Sequence, residues 1–407
     1  MSQGRGPIAA GSTEYRRINR AMAFGGFSVF ALLYCVQPLM PLLAQDFRLT
    51  PAQSSLALSV STAALAVALL ASGSVAERIG RKQLMVASMT GGALLTLISA
   101  FTFDYTQLVA VRALLGLVLG GLPAVAMAYL SDEVEGASLG HAMGMYISGS
   151  AFGGMSGRVL SSVISDFVSW RVAVGLLGAA GLYAAWEFSR SLPASRHAGA
   201  PRAKGPGFVD GLRRHLSDAG LPWLFVLPFL LMGCFVSLYN YISYRMLGAP
   251  FHLSQSAVGA VSLLYLLGMF SSMWAGKLAD RLGRRNVLWL FMCVMIAGLL
   301  VTLVESVLAI VLGVGLATFG FFAAHSVASS WVGRRAKAPQ ALASGIYLFC
   351  YYLGSSVVGW LTGYLWEHWG WPGVVALLAA LLGVGLAIAL RLRHLRPAAA
   401  PPAQVLD

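Results

Sequence analysis

Apolar residues in this chain come in long runs, most of them close to 20 positions, separated by short polar or charged breaks. A helix needs about 20 apolar residues to cross the hydrocarbon core of a bilayer. Twelve runs meet that need, near 22–44, 55–76, 84–103, 108–130, 139–163, 170–190, 221–243, 256–277, 287–305, 307–330, 340–363 and 372–392. The period-two alternation of a membrane barrel is absent. Glycine and proline inside the runs are tolerated because neighbouring helices re-satisfy the backbone in a membrane. The pattern predicts an all-α polytopic membrane protein with 12 transmembrane helices.

One polar break is much longer than the rest. Residues 191–219, rich in Pro, Gly, Ala and basic residues, read as a cytoplasmic central loop. They separate a six-helix bundle at 21–190 from a second at 220–392, with cytoplasmic tails at 1–20 and 393–407. The two bundles echo each other. Gly73, Glu77, Arg78, Gly80, Arg81 and Lys82 recur as Gly276, Asp280, Arg281, Gly283, Arg284 and Arg285, at an offset of 203. Gly144, Tyr146, Gly153 and Trp170 recur as Gly345, Tyr347, Gly354 and Trp371, at an offset of 201. Two echoes at nearly one offset argue for a duplicated unit, and hence for two pseudo-symmetric halves. Transporters built from repeats hold substrate near the midplane between them.

Composition sharpens the exclusions. The 407 residues are 58% hydrophobic and 11% charged, against about 45–50% and 25% for soluble chains. A soluble enzyme, a disordered protein and a disulfide scaffold are all excluded. The net charge of +13 is explained by topology. Arg5, Arg16, Arg17 and Arg20, the loops after spans 2, 6, 8 and 10, and Arg391, Arg393 and Arg396 all fall on one side, whereas only Arg48, Arg171 and Arg245 fall on the other. By the positive-inside rule both termini are cytoplasmic, and the charge reports orientation and contact with anionic lipid rather than nucleic acid. The first apolar run is longer than a signal-peptide core and lacks a small-x-small cleavage site, so it reads as an uncleaved span. Cys35, Cys234, Cys293 and Cys350 lie in apolar runs without CxxC spacing or a nearby histidine. They read as small hydrophobes, and neither metal nor cofactor is expected.

The G-x-x-x-D/E-R-x-G-R-R/K pattern, twice between consecutive spans in a twelve-span chain with a basic central loop, resembles the major facilitator superfamily along its whole length. The nearest branch is the bacterial drug/arabinose-efflux proton antiporters. The resemblance implies two six-helix bundles working by alternating access, acting as a monomer in a bacterial inner membrane. It also implies that Gly73, Glu77, Arg78, Gly80 and Arg81 latch the cytoplasmic side against span 11, and that Gly276, Asp280, Arg281, Gly283 and Arg284 latch it against span 5. Glycines there would permit positive φ as the chain reverses, and the acid would cap a helix amino terminus. The alternative is a solvated loop that only orients the protein.

Arg112 opens Arg112-x-x-x-Gly116-x-x-x-Gly120 in span 4, resembling a motif tied to proton coupling in that family. An arginine in hydrocarbon costs about 2.5–3.5 kcal/mol, so it is a functional candidate; the alternative is snorkelling to the near interface. Gly140, Gly149, Gly153, Gly154 and Gly157 in span 5 resemble the antiporter motif, with Gly154 where that motif has Pro and Arg158 where it has Gly. They would make a thin helix face packed against span 8. Arg158 itself is a substrate or counter-ion site, or a second snorkelling residue. No acid falls in mid-membrane, so proton coupling would use Asp46, His325 or an arginine-linked network. Tyr34, Gln37, Tyr239, Asn240, Tyr244, Tyr265, Tyr347 and Tyr351 supply aromatic, hydroxyl and amide faces suited to an amphipathic solute. Trp366, Trp369 and Trp371 read as interfacial anchors. No nucleotide-binding, metalloprotease or paired-acid motif is present. The expectation is therefore a secondary transporter and not an enzyme, exporting small organic solutes in exchange for protons. The rival is an uptake symporter or organic-anion exchanger using Arg112 and Arg158.

Overall fold

The computed structural model describes residues 8–193, 195 and 208–395. Arg5, Arg196, Arg202, Lys204 and Arg396, counted above among the basic residues, lie outside the described residues, as do the ends of both tails and much of the central loop. Helices follow one another almost without interruption. α1 (Thr13–Tyr34) passes through a 3-10 turn (Gln37–Leu39) into α2 (Met40–Asp46), followed by α3 (Pro51–Ile79) and α4 (Arg81–Ser99). Then come α5 (Tyr105–Leu119), α6 (Gly121–Glu133), α7 (Gly136–Phe167), α8 (Trp170–Ser191) and a short α9 (Phe208–Leu216). α10 (Leu221–Leu247) leads to α11 (Gln255–Ala260), a 3-10 turn (Val261–Leu264) and α12 (Tyr265–Leu282). α13 (Arg284–Val301), α14 (Val307–Arg335) and α15 (Gln340–Arg393) complete the chain. Among the described residues there is no strand, only an isolated bridge between Ile8 and Val134.

Among the described residues, nine stretches are long and apolar enough to cross a membrane. The last, α15, is two helices in one run: Gly370, at φ 59° and ψ −151°, leaves the helical region and Pro372 follows. Counting its two arms separately, and adding α4 and α7, whose Gly, Ser and Thr lower their hydropathy, gives the twelve expected. Helix starts fall where the sequence supplies caps. Ser12, Asp104, Ser169 and Ser254 each accept from an amide three residues on, and Thr50 with Gln53 forms a reciprocal capping box.

The duplicated motif builds the same turn twice. α3 stops at Ile79 and α4 begins at Arg81, with Gly80 alone between them at φ 90°; Gly283 does the same between α12 and α13 at φ 85°. A side chain at either position would be strained. Gly73 and Gly276 differ from expectation. Both lie inside helices, not in the reversal, and a Cβ on either would meet open space. The turn needs one glycine and not two, because one residue in this region reverses the chain.

The glycines of α7 also correct the sequence reading. Gly149, Gly153 and Gly157 recur every four residues and so line one stripe. A Cβ on them would lie 2.3, 2.0 and 2.6 Å from the carbonyl oxygens of Ala23, Phe27 and Ala31. The stripe therefore packs backbone to backbone on α1 of its own half and not on span 8, as small-residue faces do in membranes. The second half repeats the contact, with Gly354 of α15 on the carbonyl of Phe229 in α10. Gly140 faces open space. Trp371 is a further correction: it is buried and donates to the Thr302 carbonyl at 3.1 Å, whereas Trp369 stays exposed. Within the central loop, α9 was not foreseen; Gly211 lies against Leu342 and Pro339 at the start of α15.

Candidate functional site

The site begins where α1 ends. Pro38 has no amide hydrogen and Pro41 follows, so the helix gives way to the 3-10 turn around Gln37. A helix end leaves carbonyls unpaired, and Arg112 of α5 takes them. Its Nη1 donates to Leu32 O at 3.2 Å, its Nη2 to Leu33 O at 2.5 Å and its Nε to Ala57 O of α3 at 3.0 Å. The side chain is fully buried. Its guanidinium points into the bundle, so snorkelling does not describe it.

The same break carries the Gln37 side chain across the molecule. Its amide nitrogen donates to Asn240 Oδ1 at 2.7 Å and to Val236 O at 3.2 Å on α10, and its oxygen accepts from Arg158 Nε at 2.5 Å. Arg158 Nη1 returns to Gly154 O of its own helix at 2.7 Å. A Cβ at 154 would sit 3.2 Å from that nitrogen, which accounts for a glycine there. The Arg158 guanidinium lies over the rings of Tyr34 at 4.2 Å and Tyr265 at 4.8 Å. It is buried, and among the described residues no carboxylate is within ion-pair reach. A cavity of ≈ 10 Å³, lined by Gln37, Arg158, Tyr239, Ser243 and Ser262 among others, adjoins it, space on the order of one water.

An aromatic layer continues into the second half. Phe235 stacks on Phe321 with centroids 3.8 Å apart, Tyr239 meets Tyr265 edge-on at 5.2 Å and its hydroxyl pairs with Thr318 at 2.9 Å. His325 Nδ1 lies 2.9 Å from Tyr347 Oη, and its ring sits 4.8 Å from Tyr351. Tyr34, Gln37, Tyr239, Asn240, Tyr265, Tyr347, Tyr351, Arg158 and His325 thus share one central region.

Tyr244 and Asp46 do not join it. Tyr244 pairs with Ser54 at 2.6 Å and Met40 O at 3.1 Å. Asp46 accepts from Trp170 at 3.0 Å and lies 3.5 Å from Arg171, half-exposed. Both stand at the end away from the Gly80 and Gly283 turns: α2 carries Asp46 past the 3-10 break, and Tyr244 lies in the last turn of α10. At that end the halves are tied together. Gln255 donates to Pro38 O at 2.7 Å, the Ala52 amide to Glu367 at 3.0 Å, and Gly363 lies directly against Ala52.

The arginine-rich end differs. Arg81 pairs with Asp132 and donates to Ala128 O, both in the first half. Asp280 meets Arg284 at 2.9 Å and Arg334 at 3.3 Å, both in the second. Glu77, Arg78 and Arg281 are exposed. Among the described residues, hydrogen bonds from the first six spans to the last six lie at the centre or at the opposite end only. The latch residues therefore touch their own halves.

Two duplicated helical halves, joined at one end and enclosing a polar and aromatic centre, define an integral membrane transporter. Comparison with known proteins agrees: the model of the Major Facilitator Superfamily matches residues 22–358 and 242–405. The chain belongs to that superfamily, and it is a secondary transporter and not an enzyme. It is 46% identical over 394 residues to the inner membrane transport protein YnfM of Escherichia coli, covering 97% of this chain and 94% of that protein. It is 43% identical over 379 residues to the uncharacterized MFS-type transporter YybF of Bacillus subtilis, covering 93% and 94%. Its fold is similar to that of a bacterial homologue of the human lysosomal transporter Spinster, solved inward-facing and unoccupied. The TM-score is 0.79 at 14% identity, covering 94% and 98% of the two chains.

Proposed function

We propose that this chain is a proton-coupled exporter of small organic solutes, working as a monomer in the bacterial inner membrane with both termini cytoplasmic. The observation that carries the reading is the central cluster around Arg158. Residues of both halves meet there, so rocking one half against the other would pass a solute from one side to the other. The present arrangement, tied at one end and parted at the arginine-rich end, is read as the cytoplasm-open state. In the opposite state the turns around Gly80 and Gly283 would close against the other half. Glu77 would then face span 11 and Asp280 span 5.

The proton site proposed is His325. It is the titratable base of the central region, it is paired with the Tyr347 hydroxyl, and its contact with Tyr351 links it to the rings around Arg158. Asp46 is too far along α2 to serve, being engaged by Trp170 and Arg171. The direction of export rests on the glycine-rich motif of α7. The experiment is proton flux in proteoliposomes under an imposed pH gradient, with a panel of cationic, neutral and anionic solutes. Solute-dependent proton release that disappears in His325→Gln is the expected outcome. Solute movement without proton flux in the wild type would refute the coupling.

A further inference from the structure

Of the two arginines buried in the first half, one has a carbonyl on every guanidinium nitrogen and the other does not. All three nitrogens of the Arg112 guanidinium have carbonyl partners. Arg158 places Nε on the Gln37 amide oxygen and Nη1 on Gly154 O and has the Tyr265 hydroxyl as a further partner, but no carbonyl, amide or carboxylate accepts from Nη2. A cation held inside a membrane protein without a counter-charge is costly unless something completes it. The surroundings also hold spare donors. The hydroxyls of Tyr34, Tyr351 and Tyr352 donate to nothing among the described residues, although Tyr34 and Tyr352 are buried. A centre with one cation, spare donors and no acid lacks an acceptor that carries negative charge.

We infer that Arg158 is the recognition site for the carboxylate of a singly charged organic acid with an aromatic body, and that Gln37 is its resident stand-in. The inference deepens the transporter reading above and rests on it. One guanidinium matches one anionic group; the other buried cations, Arg112 and Arg245, are already spent on backbone carbonyls, so a polyanion would find no second partner. The body of the solute meets Tyr34, Tyr265, Tyr351 and the Phe235–Phe321 stack, faces that favour another ring. A carboxylate binds a guanidinium through charge-assisted bonds roughly twice as strong as those of a neutral amide. It therefore displaces the Gln37 oxygen from Arg158. That side chain also ties α1 to Asn240 and Val236 of the second half. Arrival of the solute thus loosens a bond between the halves at the centre, where the closed end begins.

The test uses the full-length protein in lipid nanodiscs and calorimetric titration with benzoate, benzamide and benzylamine. Benzoate is expected to bind at least roughly tenfold tighter than its neutral isostere benzamide, with benzylamine the weakest. Gln37→Glu places a carboxylate on Arg158 from within. It is expected to abolish benzoate binding while the thermal midpoint stays at or above that of the wild type. Arg158→Gln should lose the preference for benzoate over benzamide. Equal binding of benzoate and benzamide, unchanged benzoate binding in Gln37→Glu, or no binding of any of the three overturns the inference. Proton-linked flux of benzylamine in proteoliposomes would overturn it too, yet leave the transporter reading standing.

Discussion

Arg112 and Arg158 show how two residues of one type, both buried, take different work from their surroundings. Arg112 completes a helix end. Its planar fork reaches three carbonyls on two helices, which a lysine ammonium at the same place cannot copy. Arg112→Lys should leave at least one of those carbonyls unpaired, at a cost of about 1–3 kcal/mol. Thermal unfolding in detergent would register the loss, and benzoate affinity should stay within about twofold. Gly153 is constrained more simply. An alanine Cβ there would collide with the Phe27 carbonyl, so Gly153→Ala should destabilise by about 1–3 kcal/mol through forced separation of α1 and α7. An unchanged unfolding midpoint would show that the two helices part freely.

At the scale of elements, the broken first span is the feature from which the site follows. An unbroken α1 would satisfy its own carbonyls and would not present Gln37 to both Arg158 and Asn240. The central loop has a junction of its own. Asp218 accepts from the amides of Gly220 and Leu221 at the start of α10 and from Arg335 at the end of α14, at 2.5 and 3.2 Å. Burial alone would raise its pKa, but the Arg335 hydrogen bonds and the two amides outweigh burial and hold the carboxyl below the usual carboxylate range. A carboxylate depressed on folding stabilises above its unfolded pKa, and that contribution is lost as pH falls through the folded value. Asp218→Asn should therefore lower the thermal midpoint at neutral pH, with the gap from wild type closing in acid. A gap independent of pH would point to the amide caps alone.

For the whole molecule, the asymmetry between its ends decides the state. Hydrogen bonds join the halves at the centre and at the Tyr244 end, among the described residues. At the other end Asp280 spends its charge on Arg284 and Arg334 of its own half. If the turns latch the opposite state, Asp280→Asn should shift the population further toward the present one. A cysteine placed at Gly144, where a Cβ meets open space, would then label faster with a charged thiol reagent. An unchanged rate would remove Asp280 from the latch.

What the chain alone determines is its class and its symmetry. Twelve membrane-length runs, the placement of arginines and the two echoes at offsets of 203 and 201 are properties of order along the sequence. They need no knowledge of which helices touch. Helix starts are equally local, since Ser12, Thr50, Asp104, Ser169 and Ser254 cap amides within three residues. The partner of the glycine stripe was not legible, because spacing gives the face of a helix but not its neighbour. Nor could order along the chain separate Arg112 from Arg158. That difference lies in carbonyls freed 79 and 80 residues away and in a glutamine 121 residues away. Which cation lacks a carbonyl on each nitrogen is set by contacts between distant segments, and only the tertiary structure brings those together.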